Sequence, residues 1–378
     1  MNTFLSSSQQ ALMDQYRAFA KKEIAPVARD LESQSLSLKD FLQKLGQSGY
    51  LSIAIPKEYG GQGGSLISQA IFAEVVGEYE PGLGLTLSSQ AAVVEVLKKY
   101  GSENQKSRYL PLLARGEIFA SLLVGEEKAG SDYEALETTA VLTVDGALID
   151  GRKTWVVNGR IASLMIVAAR EVKDGHKENI ALWLVDSSEA HTVKVEPGPQ
   201  KLGLRSAFTD NVILSKHPVP QNARLAGDGC EQITFALDVG KVILSAAAVG
   251  LAQAALDLAV NHARSREQFG TTIGQFQGVQ WKLADLSTES QAARLLTYRA
   301  ALSIDESPDQ FGQFASMCKL FSSRVARLHS GEAMQVLGTR GISEDSPLER
   351  FYRDAKLMEI CQGTSEMQKV RIADELKV

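Results

Sequence analysis

The apolar residues of this chain change their period twice, and that fixes what the chain can fold into. Up to about Gly116 they recur at helical spacing. Leu12, Tyr16, Phe19, Ala20 and Ile24 form one stripe, with Ser6 to Ser8 placed to cap it and Pro26 placed to kink or close it. Leu38, Phe41, Leu42 and Leu45 form a second, ending at Gly46 or Gly49, and further amphipathic helices are expected near 65–79, 83–100 and 103–116. At Phe119 the pattern shortens to β-rich runs bounded by Asp-Gly, Asn-Gly and polar turns, at 119–124, 140–144, 147–150, 154–157, 164–169, 180–185, 192–196 and 211–214. Pro218 and Pro220 are expected to end the last of these. Evenly spaced short strands predict a sandwich or barrel. From Cys230 the helical period returns in three long runs, about 235–264, 276–304 and 309–337. The first is apolar around most of its surface, the mark of a helix buried on several sides. The chain therefore reads as mainly α with a central β domain: an N-terminal helical domain (1–118), a middle β-barrel or sandwich domain (119–227) and a C-terminal four-helix bundle (228–378).

Composition narrows the function. The 378 residues are 44% hydrophobic and 22% charged, enough for a sizeable core. Forty Lys and Arg against 45 Asp and Glu give a net charge of −5 without a basic stripe, which argues against nucleic-acid binding. Cys230, Cys318 and Cys361 lie far apart, and the five histidines form no HxxxH pair, so neither a disulfide framework nor a metal site is expected. The N-terminal residues lack a signal-peptide core and no apolar run reaches bilayer length. A cytoplasmic protein without a membrane span is the expectation.

Two glycine-punctuated stretches stand out. Gln335 to Gln368 carries a loop at Gly338-Thr339-Arg340-Gly341 and a sharp break at Gln362-Gly363-Thr364, after which a helix opens with its free N–H groups forward. Arg266-Glu267-Gln268-Phe269-Gly270 ends the first long bundle helix; its arginine suits either a surface carboxylate or a pyrophosphate. With these, Pro56-Lys57-Glu58-Tyr59-Gly60-Gly61, Glu126 with Ala129-Gly130-Ser131-Asp132, Trp155 with Asn158-Gly159, Lys201-Leu202-Gly203, Ala248-Val249-Gly250-Leu251-Ala252 and Tyr352-Arg353-Asp354-Ala355 form an ordered set spanning nearly the whole chain. That set resembles the acyl-CoA dehydrogenase family.

The resemblance implies FAD in a cleft between the β domain and the bundle, with an acyl-CoA or carrier-bound acyl thioester stacked on the flavin. It implies that Arg266 and Phe269 contact the FAD of a neighbouring subunit, with Gln335 and Gly338 along the same dinucleotide. Thr364 and Glu366 would face the subunit's own cofactor. Val124, Gly125, Trp155 and Val157 would flank the flavin. Ser131 would lie near the pantetheine or phosphate of CoA, Asp238 and Lys241 near the acyl-CoA entrance, and Cys361 beside the acyl site. A homodimer or homotetramer and an electron-transfer flavoprotein are the implied partners.

The chain departs from the family where proton transfer belongs. The usual Glu before the Gly-Thr pair is Gln362, and the alternative position on the first long bundle helix is Gly240. An amide orients a substrate but has no basic site near pH 7, whereas a carboxylate base contributes a factor of about 10²–10⁴. Gly125 and Val157 replace hydroxyl residues that reach the flavin in the family. Glu359, the nearest carboxylate in sequence, is one turn earlier and expected to face elsewhere. Three readings stand: a dehydrogenase or enoyl-thioester reductase with a displaced base; a flavoprotein of this fold with desulfinase-like or oxygen-using chemistry; and a non-catalytic acyl-CoA binder. Gly240 is expected to widen the acyl pocket.

Overall fold

The computed structural model describes residues 5–187 and 191–377. Its N-terminal part is helical: α1 (Ser7–Glu23), α2 (Ala28–Glu32), α3 (Leu38–Gln47), α4 (Leu66–Gly77), α5 (Pro81–Tyr100) and α6 (Glu103–Arg115). Ser6 caps α1 through a reciprocal box with Gln9, and Pro26 falls in a short 3₁₀ turn just after α1, where its missing N–H costs nothing. α4 and α5 are buried on nearly every face.

The middle part holds β1 (Ala120–Leu123), β2 (Thr139–Leu142), β3 (Gly146–Val157), β4 (Leu164–Lys173), β5 (His176–Asp186), β6 (Val193–Pro197) and β7 (Thr209–Pro220). Hydrogen bonds join all seven into one sheet, with β4 paired to β5 on one edge and to β1 and then β2 on the other, followed by β3, β7 and β6. The short strands expected to form a sandwich or barrel thus belong to one hydrogen-bonded, bulged sheet. Two of its strands run longer than expected. The runs 147–150 and 154–157 are a single strand, because Asp150-Gly151 forms a bulge and not a turn. β7 runs on past 214 through Pro218 and ends at Pro220, as expected of the prolines: β6 pairs with β7 only over 210–214, so the edge beside Pro218 needs no donor.

The C-terminal part comprises α7 (Gly229–Ser265), the hairpin β8 (Glu267–Gln268) and β9 (Thr271–Thr272), α8 (Gln277–Glu306), α9 (Phe311–Leu337), α10 (Leu348–Met358) and α11 (Ser365–Glu375). α7 is long and apolar enough to cross a membrane by length and composition, but 78% of its most apolar window is buried inside the protein. Arg266 caps the C-terminal end of α7, as expected, and the hairpin over 267–272 that carries Phe269 follows at once.

Buried polar clusters join the parts. Glu74 of α4 accepts from Arg294 Nε (2.8 Å) and Tyr298 Oη (2.7 Å) of α8. At the junction of all three parts, Glu80 accepts from Ser206 Oγ at 2.7 Å and lies 3.5 Å from Arg350, while Asp354 accepts from the Leu204 N–H at 2.5 Å.

Candidate functional site

Three elements converge on residue 362. After α10 the chain turns through Gln362 (φ 58°) and Gly363 (φ 91°) before Thr364 caps α11. A non-glycine residue in the left-handed region costs about 1–2 kcal/mol, so the turn has to be held. Lys319, on α9, holds it from beneath: its Nζ donates to the carbonyls of Glu359 (2.8 Å) and Gly363 (2.6 Å). Gln368 Nε2 also donates to the Gly363 carbonyl, at 2.9 Å. Burial pulls the Lys319 ammonium down to about 8.

The Gln362 side chain points at α7 and α5. A Cβ built on Gly240 would lie 2.9 Å from its Oε1 and 3.0 Å from its Cδ and Nε2. Nε2 is 3.4 Å from Ser88 Oγ, and Ser88 is fully buried. The two positions at which the resemblance would place a base therefore face each other. The space that Gly240 leaves is filled by the Gln362 carboxamide, so the expected widening of an acyl pocket there is not what the structure shows. Glu359 turns away and accepts from Arg327 Nε (2.8 Å) and Lys356 Nζ (2.9 Å).

Cys361 packs against the buried cluster of Leu204, Ala207 and Ala355, which Val157 also joins. Burial pushes its thiol up, with Lys319 and Lys201 offsetting only part of the shift. The thiol is therefore protonated near neutrality. Asp238 and Lys241 are buried rather than at an opening. They pair at 2.8 Å, and Arg371 of α11 reaches Asp238 at 3.2 Å, so they tie α7 to α11.

At the ends of β1 and β3 a second set gathers. Lys153, fully buried, donates to Glu126 Oε1 (2.8 Å) and the Val124 carbonyl (3.0 Å). Burial pulls Lys153 down to about 8. Glu126 also accepts from the Glu137 N–H, the Thr138 N–H and the Thr138 hydroxyl, so it clamps the loop that carries Ser131. With its side chain only 7% exposed, Glu126 is an anchor of this loop and not a solvated turn residue. Ser131 itself is exposed. Trp155 sits in a register shift of β3 at φ 55°, which swings its ring outward to 58% exposure. Val157 offers its carbonyl to Ser121 Oγ at 2.6 Å, and Gly125 has open space where a side chain would begin, with only the Thr154 carbonyl within reach at 3.5 Å.

Arg266, Phe269, Gln335 and Gly338 are not near Gln362. They lie at the far ends of α7 and α9, with Arg266 roughly 39 Å along α7 from Gly240. Phe269, at the hairpin tip, is 94% exposed. Thr364 and Glu366 lie at the start of α11, where Glu366 is exposed. A hollow of about 640 Å³ opens between α6 and β5–β7, lined by Tyr109, Leu184 and His217. It lies roughly 27 Å along β7 from Thr209 and takes no part in this site.

Sequence reading missed Ser88, Lys319 and Gln368. Signals existed for the first two: Ser88-Ser89-Gln90 interrupts an otherwise apolar helix, and Lys319 is a lone cation in the apolar stripe beside Cys318.

The acyl-CoA dehydrogenase N-terminal, middle and C-terminal domain profiles match residues 6–117, 121–217 and 227–377. The chain is 36% identical over 380 residues to the probable acyl-CoA dehydrogenase YngJ of Bacillus subtilis, covering 100% of both. It is 35% identical to the acryloyl-CoA reductase (NADH) of Anaerotignum propionicum, over 100% of this chain and 96% of that one. Its fold superposes on butyryl-CoA dehydrogenase from Megasphaera elsdenii with a TM-score of 0.94 at 28% identity, covering 100% of both chains. Three matched domains in order, on a helical–β–helical frame whose turn at 362–364 faces the middle of the long bundle helix, make this chain a member of the acyl-CoA dehydrogenase family.

Proposed function

We propose that this protein is an FAD-dependent oxidoreductase acting at the α,β bond of an acyl thioester, with no carboxylate base at either position the family uses. One observation carries the reading: the Gln362 carboxamide rests on Gly240, so both positions are filled and neither accepts a proton.

FAD is the family's cofactor, and the residues present fit it. Gly125 and Gly338 leave open space where a Cβ would intrude, and the bulged Trp155 turns an exposed indole outward. The Thr364–Ser365 helix start presents free N–H groups. Bound FAD supplies a hydride acceptor or donor for the β-carbon. The Lys319 clamp fixes the turn at 362–364 against that cofactor, and the Gln362 amide orients the ester without deprotonating it. The exposed hairpin at Arg266 and Phe269, about 39 Å from Gly240, supports a homo-oligomer in which each hairpin serves a neighbour's dinucleotide. An electron-transferring flavoprotein is the matching redox partner.

A second reading, reduction of an enoyl thioester, is supported by the lack of a proton acceptor at both Gln362 and Gly240 and by the 35% identity to an acryloyl-CoA reductase. Anaerobic absorbance titration against acyl and enoyl thioesters tests both readings. Bleaching by an acyl thioester supports oxidation, and reoxidation of reduced flavin by an enoyl thioester supports reduction. Bound FAD that responds to no thioester defeats the proposal.

A further inference from the structure

We infer that Lys153 is a positioning residue for the cofactor: from the interior it aims the Gly125 N–H at the flavin and strengthens it as a donor, which raises the flavin's reduction potential. This rests on the reading above, that FAD lies against Gly125.

The aim follows from two successive peptides. β3 grips the chain just past β1 at neighbouring carbonyls: Lys153 Nζ donates to that of Val124 at 3.0 Å, and the Thr154 N–H donates to that of Gly125 at 2.9 Å. In a planar trans peptide the N–H points opposite to the C=O. The peptide between Val124 and Gly125 therefore turns its N–H away from Lys153. Among the described residues nothing accepts from that N–H, whereas the next one, of Glu126, is spent on the Ala129 carbonyl at 3.1 Å. Gly125 is half-buried, and a side chain begun there would meet only the Thr154 carbonyl. With Gly125 and Val157 both lacking a hydroxyl, this backbone donor is what the chain offers a cofactor at that wall.

The strength follows from the charge. Lys153 is wholly buried, where an ammonium is costly and its field is little screened. The fold of the loop does not call for it: Glu126 already accepts from the Glu137 N–H, the Thr138 N–H and the Thr138 hydroxyl, and an apolar side chain at 153 would pack as well. What the ammonium adds is its hold on the Val124 carbonyl. A cation on that oxygen draws electron density through the amide, and linked hydrogen bonds reinforce one another by about 10–30%. Glu126 Oε1, 2.8 Å from the same Nζ, tethers the cation and tempers its charge. Two-electron reduction leaves added electron density on a flavin ring, so a strengthened donor favours the reduced form.

The test measures the reduction potential of FAD-loaded protein against a reference dye at about pH 6, where Lys153 keeps its proton. Lys153→Met should lower the ratio of reduced to oxidised flavin at a fixed poise about tenfold, which is about 30 mV for a two-electron couple. Glu126→Gln removes the counter-charge and should shift the ratio the other way, whereas loss of packing alone would move both variants together. In the wild type, the Gly125 amide should exchange its hydrogen about tenfold slower with the bound flavin reduced than with it oxidised; this and Glu126→Gln decide the matter where Lys153→Met does not fold. Potentials that shift in one direction or not at all, or a Gly125 amide indifferent to the flavin's state, would overturn the inference and leave the functional reading intact. Bound FAD that answers to no thioester defeats the functional reading alone, and protein that takes up no FAD overturns both.

Discussion

Lys319 Nζ lies 2.6 Å from the carbonyl oxygen of Gly363, across 44 residues of chain, and this one contact fixes where residue 362 can point. Lys319→Met keeps the stem's packing, removes the Glu359 carbonyl's lysine donor and leaves the Gly363 carbonyl with Gln368 Nε2. The expected loss is about 2–3 kcal/mol, seen as a lower midpoint in urea. The titration also has a sign. Burial lowers the ammonium from 10.5 to about 8, so the folded state holds fewer protons than the unfolded state between those values. Stability from this group rises with pH across that window and is lowest below it. The difference between wild type and Lys319→Met, followed from pH 7 to 10.5, should grow.

Glu80 behaves in the opposite sense. Burial pushes its carboxyl up to about 8, with Arg350 opposing, and Asp354 beside it is raised to about 6. Both are protonated in the fold where the unfolded chain has already released its protons. Stability should fall as pH rises from about 4.5 to 8. Glu80→Gln should flatten that slope and make the protein relatively more stable at pH 8. A slope identical to wild type would show that Arg350 keeps Glu80 ionised.

Restoring a carboxylate at the turn is the direct test of the missing base. Gln362→Glu changes one atom and keeps the side-chain length beside Gly240. Anaerobic bleaching of bound flavin by an acyl thioester should accelerate about 10²–10⁴-fold. An unchanged rate would mean that the proton leaves by another route.

Phe269 contributes little to its own protomer, being 94% exposed. Phe269→Ala should change the urea midpoint by less than about 0.5 kcal/mol equivalent. If the hairpin serves a neighbour, the same substitution should lower copurified FAD and shift sedimentation toward smaller species. Full retention of flavin and assembly would remove the hairpin from the site.

The layout was readable because each part announces itself locally. The 3.6-residue stripes of α1, α3 and α7 and the short β-rich runs need only neighbours in sequence. Asp150-Gly151 misled because the same dipeptide serves a turn and a bulge, and only the partner strand β7 distinguishes them. β7 runs past 214 to Pro220 because tolerance of Pro218 depends on which strand edge is unpaired, a property of β6 and not of β7. The turn at Gln362 was visible from its glycine and threonine. That its amide would occupy the space above Gly240 was not, since Gly240 is 122 residues away and the contact depends on a positive φ at 362. The Ser88 contact spans 274 residues. Such relations belong to the packing of α5, α7 and the 362 turn, and no local pattern encodes them.

α7 has a consequence for biogenesis. α7 is about 55 Å long and holds an 18-residue apolar window; it leaves the ribosome after the helices α4 and α5 that cover one flank, and before α8 and α9, which cover the rest. At some 5–20 residues per second, the interval before α9 is complete lasts seconds. During it the growing polypeptide displays a greasy rod of bilayer length. In that interval only α4 and α5, already made, are available to cover a flank of α7, so slow translation through α8 is expected to raise the yield of insoluble protein.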